Sequence, residues 1–350
     1  MSNSGDRTDR TLPTSALTIR LLTSMDRQSW DRLVRVTPEG CFMQSWAWAN
    51  FKELEGYRTF RFGLFSQENL VGGCILYFYP HNSQANLLFA PGGPILPQGL
   101  EQAGMDLLLQ EAENLAEKRG AIALRIEPLL PQKPDYLSNF VRAPVDVLPS
   151  ETLAIDLRPN SAELLAAMKP KGRYNLRLSQ RYGVTTQFSP DPQTIPLFYD
   201  LFWETAKRQN FFGEPYGFFI NLCQTLFAEQ MAEIGLAYWQ EQLLAAMLIV
   251  YWGERATYLY GGRSLAHPQV MAPYQLHWTA IQRAKERGCK MYDFYGFTRD
   301  PNHGYAKFSR FKGQFGGVPI TTIGAQDYFF YDRLASTIIH LFNHLAGEHV

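Results

Sequence analysis

The feature that most constrains this 350-residue chain is a repeat inside it. Leu107 to Pro128 reads LLLQEAENLAEKRGAIALRIEP, and Tyr274 to Gly296 reads YQLHWTAIQRAKERGCKMYDFYG. Each is an amphipathic helical pattern that closes on a charged turn and a glycine, AEKRG or AKERG, and passes at once into a strand. Gly120 and Gly288 lie 168 residues apart. Nearly the same offset aligns what precedes them. LVGGCILYFYP (Leu70 to Pro80) and NLLFAPGGPIL answer to LLAAMLIVYWG (Leu243 to Gly253) and TYLYGGRSL, with Gly92-Gly93 and Gly261-Gly262 offset by 169. Three features in one order at one spacing indicate a tandem duplication. Each copy is a β-hairpin, a strand ending in Gly-Gly, a helix and a further strand.

That order resembles the Gcn5-related acyltransferase fold. The expected fold class is therefore α/β, a tandem pair of such domains with mixed sheets flanked by helices. The first copy spans residues 17–155 and the second 156–319, joined by the proline-punctuated stretch Leu129 to Pro149. Residues 320–350 return to complete the first domain, with Asp327 to Val350 expected as an amphipathic helix. Residues 1–16 read as a polar, disordered tail without the apolar core of a signal peptide. No apolar run approaches the ~20 residues that span a bilayer. The resulting expectation is a cytoplasmic protein, free to touch the inner face of the membrane.

Lys plus Arg equals Asp plus Glu, 33 each, so the whole chain has no bias toward nucleic acid, although a local basic patch stays open. Cys41, Cys74, Cys223 and Cys289 are isolated, without a C-x-x-C pair or a Cys/His cluster, which argues against zinc and against a disulfide framework. An acetyltransferase needs a Gly-rich turn whose N–H groups cradle a pyrophosphate. Here PILPQGLEQAGMD follows Gly93 and RSLAHPQVMAPY follows Gly262, and Pro94, Pro97 and Pro268 remove donors. No cofactor is expected, coenzyme A included. There is no G-x-S-x-G elbow, H-E-x-x-H or Walker A motif, and His267 and His277 read as structural.

Four segments resemble the FemABX family in its order along residues 40–328. They are FMQSWAWANFKELEG (Phe42 to Gly56), MKPKGRYNLRLSQRYGV (Met168 to Val184), YLYGGRSLAHPQVMAP (Tyr258 to Pro273) with AKERGCKMYDFYG, and YAKFSRFKGQFGG (Tyr305 to Gly317). The resemblance implies an aminoacyltransferase that moves an amino acid from aminoacyl-tRNA to an amine of a peptidoglycan-precursor stem peptide. The precursor is lipid-linked or nucleotide-linked, and no coiled-coil arm is visible. It implies Lys312, with Phe311, as the catalytic pair, the ammonium stabilising an oxyanion or holding the donor's terminal phosphate. Lys52 takes the place associated with precursor phosphates. Arg173, Asn175 and Arg177 fall in the second segment. Arg173 with Arg177, or Arg177 with Arg181, shares a helical face suited to phosphate, or to plain solvated charge. Tyr216, Tyr258 and Tyr260 are candidates to line the groove, or to fill a core. One departure bears on the acceptor. Where relatives are expected to place an arginine, this chain has Phe212, and the nearest arginine is Arg208. Transfer to another amine, on exopolysaccharide or lipid, and a non-catalytic sugar-peptide module therefore stand as alternatives.

Overall fold

The computed structural model describes residues 17–78, 86–209, 211–303 and 306–331. The stretch expected to form a tail, 1–16, lies outside them, as do residues 332–350.

The first half runs β1 (Leu17–Leu21), α1 (Arg27–Val36), α2 (Trp46–Leu54), β2 (Arg58–Ser66), β3 (Asn69–Phe78), β4 (Asn86–Pro91), α3 (Glu101–Arg119), β5 (Ala121–Glu127) and β6 (Val141–Arg142). The second runs β7 (Glu151–Asp156), α4 (Ser161–Ala167), α5 (Pro170–Arg181), β8 (Thr185–Ser189), α6 (Thr194–Gln209), α7 (Tyr216–Ala228), β9 (Ala232–Trp239), β10 (Gln242–Trp252), β11 (Arg255–Arg263), α8 (Ala272–Glu286), β12 (Met291–Asp293), α9 (Ala306–Lys312), β13 (Val318–Thr321) and β14 (Gln326–Phe329).

The strands form two seven-stranded sheets, β1-β2-β3-β4-β5-β14-β6 and β13-β7-β12-β11-β10-β9-β8. Read from β8 inward, the second sheet repeats the first: a hairpin, a central strand, then a parallel neighbour reached through the long helix. Among the described residues only β4/β5 and β11/β12 pair in parallel, as a strand–helix–strand crossover requires. The glycines that revealed the repeat sit where the helices stop, Gly120 at φ +68° and Gly288 at φ +82°, a left-handed conformation that a side chain resists.

Two boundaries differ from the sequence reading. Strand β7 pairs with β12 and β13, so the change of sheet falls before Glu151 and not at 155–156. Asp327 to Phe329 is strand and not helix. It runs antiparallel to β5, and the buried Asp327 carboxylate accepts from Arg125 Nε at 2.7 Å. A helix there would leave the ladder groups of β5 open and Arg125 unpaired.

One hydrophobic cluster runs from Trp30, Phe51 and Ile75 of the first half to Phe198, Phe219 and Leu248 of the second. Helices α2 and α7 meet in it, Phe51 against Phe218 with ring centroids 5.2 Å apart. No helix among the described residues is long and apolar enough to cross a membrane.

Candidate active site

The F-M-Q-S-W stretch is a local device for setting α2. The buried Gln44 carboxamide accepts from Ile75 N–H at 2.8 Å and donates to the carbonyls of Ile75 and Pro91, at 3.2 and 3.0 Å. It stitches β3 to β4, and a Cβ on Gly93 would come within 2.8 Å of it. Ser45 then caps α2 by accepting from Trp48 N–H, and Asp31 accepts from Trp46 N–H. Two turns later Lys52 faces the boundary between the halves. Its ammonium lies 3.9 Å from the centre of the Tyr57 ring. Burial lowers its pKa, and the nearby Glu55 and Glu214 oppose that shift.

The F-K-G-Q-F-G-G stretch builds the other side. Helix α9 ends at Lys312, and a short 3₁₀ turn, Gly313–Phe315, buries Phe315. Gly316 and Gly317 then turn the chain at φ +85° and +87°, where a Cβ would strike the carbonyls of Ala167 and Ala154. Lys312 is directed inward and is only 8 % exposed. Its ammonium donates to the carbonyls of Tyr295 and Gly296 at 2.9 and 2.6 Å. Tyr295, at φ +47°, and Gly296, at φ +85°, form the turn that presents both oxygens. Burial pulls the Lys312 pKa down to about 8, against a smaller upward pull from Asp293. Asp293 also fixes that turn. It accepts from Tyr295 N–H at 2.8 Å and from the Thr152 hydroxyl, and pairs with Arg255 at 3.4 Å.

Tyr258 and Tyr260 do not share a face. The pairing of β10 with β11 shifts register at Leu248/Ile249, so that Tyr260 opposes Leu248 and Tyr258 opposes Ile249. A bulge at Leu259 thus reverses the alternation. Tyr260 enters the aromatic cluster with Phe202, Phe218 and Phe219 at the boundary between the halves. Tyr258 turns the other way, 4.6 Å from His277, with the Lys312 ammonium 5.8 Å from its ring centre. Gly261 makes room for it, since a Cβ there would sit 2.2 Å from the Tyr258 hydroxyl. His277 is a core residue. Burial, aided by the Lys312 charge, drops its pKa to about 3, and its Nδ1 lies 3.1 Å from the Tyr292 hydroxyl.

Tyr258, His277 and Phe311 line a cavity of about 510 Å³ between the end of β11, the start of α8 and α9. Its wall carries the cations Arg208, Arg263, Lys307 and Arg310 and, among the described residues, no carboxylate. Of these only Arg208 was singled out from sequence; Arg263, Lys307 and Arg310 lie inside the quoted segments, without a spacing that marks them. Arg208 donates to the Arg263 carbonyl, while Phe212 is 86 % exposed. Tyr216 packs on Tyr199 at 5.0 Å, outside the cavity. Asn175 is buried and bonded to the Tyr274 hydroxyl, so it supports a cavity wall. Arg173 donates to the carbonyls of Ala166 and Met168, whereas Arg177 and Arg181 are exposed on α5. Strand β11 therefore separates two groups, Phe311 and Tyr258 at the cavity with the Lys312 ammonium behind the Tyr258 ring, and Lys52 and Tyr260 at the boundary with Glu214 close to both. No group of three or more His, Cys, Asp and Glu among the described residues could hold a metal ion.

Comparison with known proteins agrees with this division. The FemAB family model matches residues 25–139, and an acetyltransferase (GNAT) domain model matches residues 170–310. A Staphylococcus aureus (strain MRSA252) protein named lipid II:glycine glycyltransferase is 21% identical, over 86% of this chain and 91% of its own. The crystal structure of FemX superposes with a TM-score of 0.82 at 19% identity, over 92% of this chain and 99% of that one. A tandem GNAT protein from the clavulanic acid biosynthesis pathway gives 0.52 at 12%, over 90% and 99%. The family matches fall on the two halves as the repeat does, and the solved FemX chain spans both. Along its two halves the chain is thus similar in turn to the FemAB family and to the GNAT acetyltransferases, and it is an amide-forming acyltransferase.

Proposed function

We propose that the protein transfers an aminoacyl group from the 3′ end of an aminoacyl-tRNA to an amine on the stem peptide of a peptidoglycan precursor. The observation that carries this reading is the cavity wall: four cations, no carboxylate, and a buried ammonium just behind it. Such a wall suits a donor whose reacting ester sits beside phosphate. Pro268 and Pro273 also leave the start of α8 short of the N–H donors that a coenzyme A pyrophosphate would use, which supports an ester donor over a thioester.

In this reading the acceptor nitrogen attacks the ester carbonyl carbon and a tetrahedral oxyanion forms. The carbon–oxygen ester bond then breaks, and the ribose oxygen leaves with the proton given up by the amine. Two of the three Lys312 N–H groups are spent on Tyr295 and Gly296, which fixes the ammonium and leaves one for the oxyanion or the leaving oxygen. Phe311 and Tyr258 exclude water around it. Lys52, beside Tyr57 at the boundary between the halves, holds the precursor. The relatives' name speaks of glycine and lipid II, so glycine is the first amino acid to test. The exposed Phe212, where an arginine was expected, favours a lipid-linked acceptor over a nucleotide-linked one.

The test is transfer of labelled amino acids from a total aminoacyl-tRNA pool to lipid-linked and nucleotide-linked muramyl-pentapeptides. Wild type should label a precursor, and Lys312→Ala should lose at least about 10²-fold in rate, the scale set by removing one oxyanion donor. A folded wild type that labels neither precursor would end the assignment.

A further inference from the structure

Helix α5 and the lysine before it, residues 169–181, carry Lys169, Lys171, Arg173, Arg177 and Arg181 and not one carboxylate. In a chain of zero net charge this is a pronounced local excess. Arg173 is partly held by the carbonyls at the end of α4, but Lys171, Arg177 and Arg181 have no hydrogen-bond or ion-pair partner among the described residues. The helix is also locked to the catalytic turn. A Cβ on Gly172 would lie 2.3 Å from the Gln314 carbonyl, which accepts from Lys169 N–H at 3.0 Å.

The cations lead somewhere. Arg173, Arg177 and Arg181 border one open hollow on α5. A second hollow brings Lys169 together with Lys307 and Arg310, beside the single carboxylate Asp300. Lys307 and Arg310 are at the same time part of the 510 Å³ cavity wall. A basic track thus runs from the outer end of α5 over α9 to the cavity backed by Lys312. Arg173, Arg177 and Arg181 recur every turn, about 6 Å apart along the axis, which sets their charges in a row.

We infer that this track is a docking surface for the phosphate backbone of an RNA duplex, the acceptor stem of the donor tRNA, laid along α5 so that its 3′ end enters the cavity. The inference rests on the aminoacyl-tRNA reading above. An anionic membrane is the rival occupant, and two observations disfavour it. The track leads into a cavity, and the large exposed apolar groups of α5 and its cap are only Tyr174 and Tyr182, whereas Trp203, Phe212 and Tyr216 lie on α6, α7 and the loop between them.

The experiment measures binding of a deacylated total tRNA pool to the full chain between roughly 50 and 200 mM salt, for wild type and the Arg177→Gln/Arg181→Gln double variant. Vesicles of phosphatidylglycerol and phosphatidylcholine are run alongside, with circular dichroism to verify folding. The double variant should bind tRNA about tenfold more weakly at low salt. The slope of log affinity against log salt should fall by between about one and two, as for two lost phosphate contacts. An unchanged affinity and slope overturns the track, and so does a loss confined to vesicle binding. Transfer by the wild type separates the two ideas. If it uses aminoacyl-tRNA while the variant's slope is unchanged, the track falls and the function stands; if it neither transfers from nor binds tRNA, both fall.

Discussion

Burying an ammonium is costly, and at Lys312 the cost is met locally by two carbonyl oxygens on a turn that Asp293 holds in place. The electrostatic consequence is testable through pH. With its pKa lowered to about 8, Lys312 is charged below that pH and loses its proton above it, so a reaction that needs the ammonium keeps its rate below pH 8 and falls off beyond. The logarithm of kcat/KM should therefore show a descending limb near pH 8. Asp293→Asn preserves an oxygen for Tyr295 N–H but removes the negative charge that raises the Lys312 pKa. The limb should move to lower pH. A limb that stays in place would show that some other group titrates. The setting of Lys312 between aromatics and glycines was legible from its motif, whereas the two carbonyls that hold its ammonium were not. The parting of Tyr258 from Tyr260 was not legible. Two residues apart on a strand they should share a face, and only the pairing register with β10, a nonlocal property, reveals the bulge at Leu259.

At the scale of the element, α2 shows how a short motif can be structural while carrying the lysine proposed to hold the precursor. Gln44 makes three hydrogen bonds to the strands beneath it, Ser45 caps the helix, and Lys52 is carried to the boundary by the helical rise alone. Gln44→Ala removes the side-chain partner of the Ile75 N–H and the Pro91 carbonyl and leaves the Ile75 carbonyl only the weak Cys74 thiol, so it should destabilise by about 2–4 kcal/mol, taking ~1–3 kcal/mol for each group left without a partner and allowing for relaxation. Thermal unfolding of the variant measures this, and a change under about 0.5 kcal/mol would show that water takes over the role. Helices α3 and α8 were legible from sequence, because period, charged last turn and closing glycine are all local signals. Strand β14 was misread as helix for the opposite reason. Its partner Arg125 is 202 residues away, and nothing near Asp327 in the sequence announces it.

For the molecule as a whole, the first sheet is finished by a strand from outside its own half. The C-terminal region supplies β14, wedged between β5 and β6. The apolar cluster that joins Phe51 to Phe218 runs through both halves without a break. The two domains seen in the repeat are thus units of descent more than units of stability. A chain ending at residue 321 keeps every residue named for catalysis. It nevertheless loses the antiparallel partner of β5, along with the carboxylate that pairs with Arg125 at 2.7 Å. Breaking a buried ion pair from one side costs about 3–5 kcal/mol, and an open interior strand adds a pairing edge for other chains. Against a marginal total of about 5–15 kcal/mol, that should leave the truncated protein aggregated or unfolded although its active site is intact in sequence. Arg125→Met in the uncut chain separates the two costs, because it breaks the same pair from the other side, leaving the Asp327 carboxylate unpaired, while β14 stays in the sheet. That variant should fold and keep transfer activity, with a smaller loss of stability than the truncation. A truncated chain that is soluble, monomeric and active would mean instead that β5 tolerates an open edge, and that the first repeat is complete without its borrowed strand.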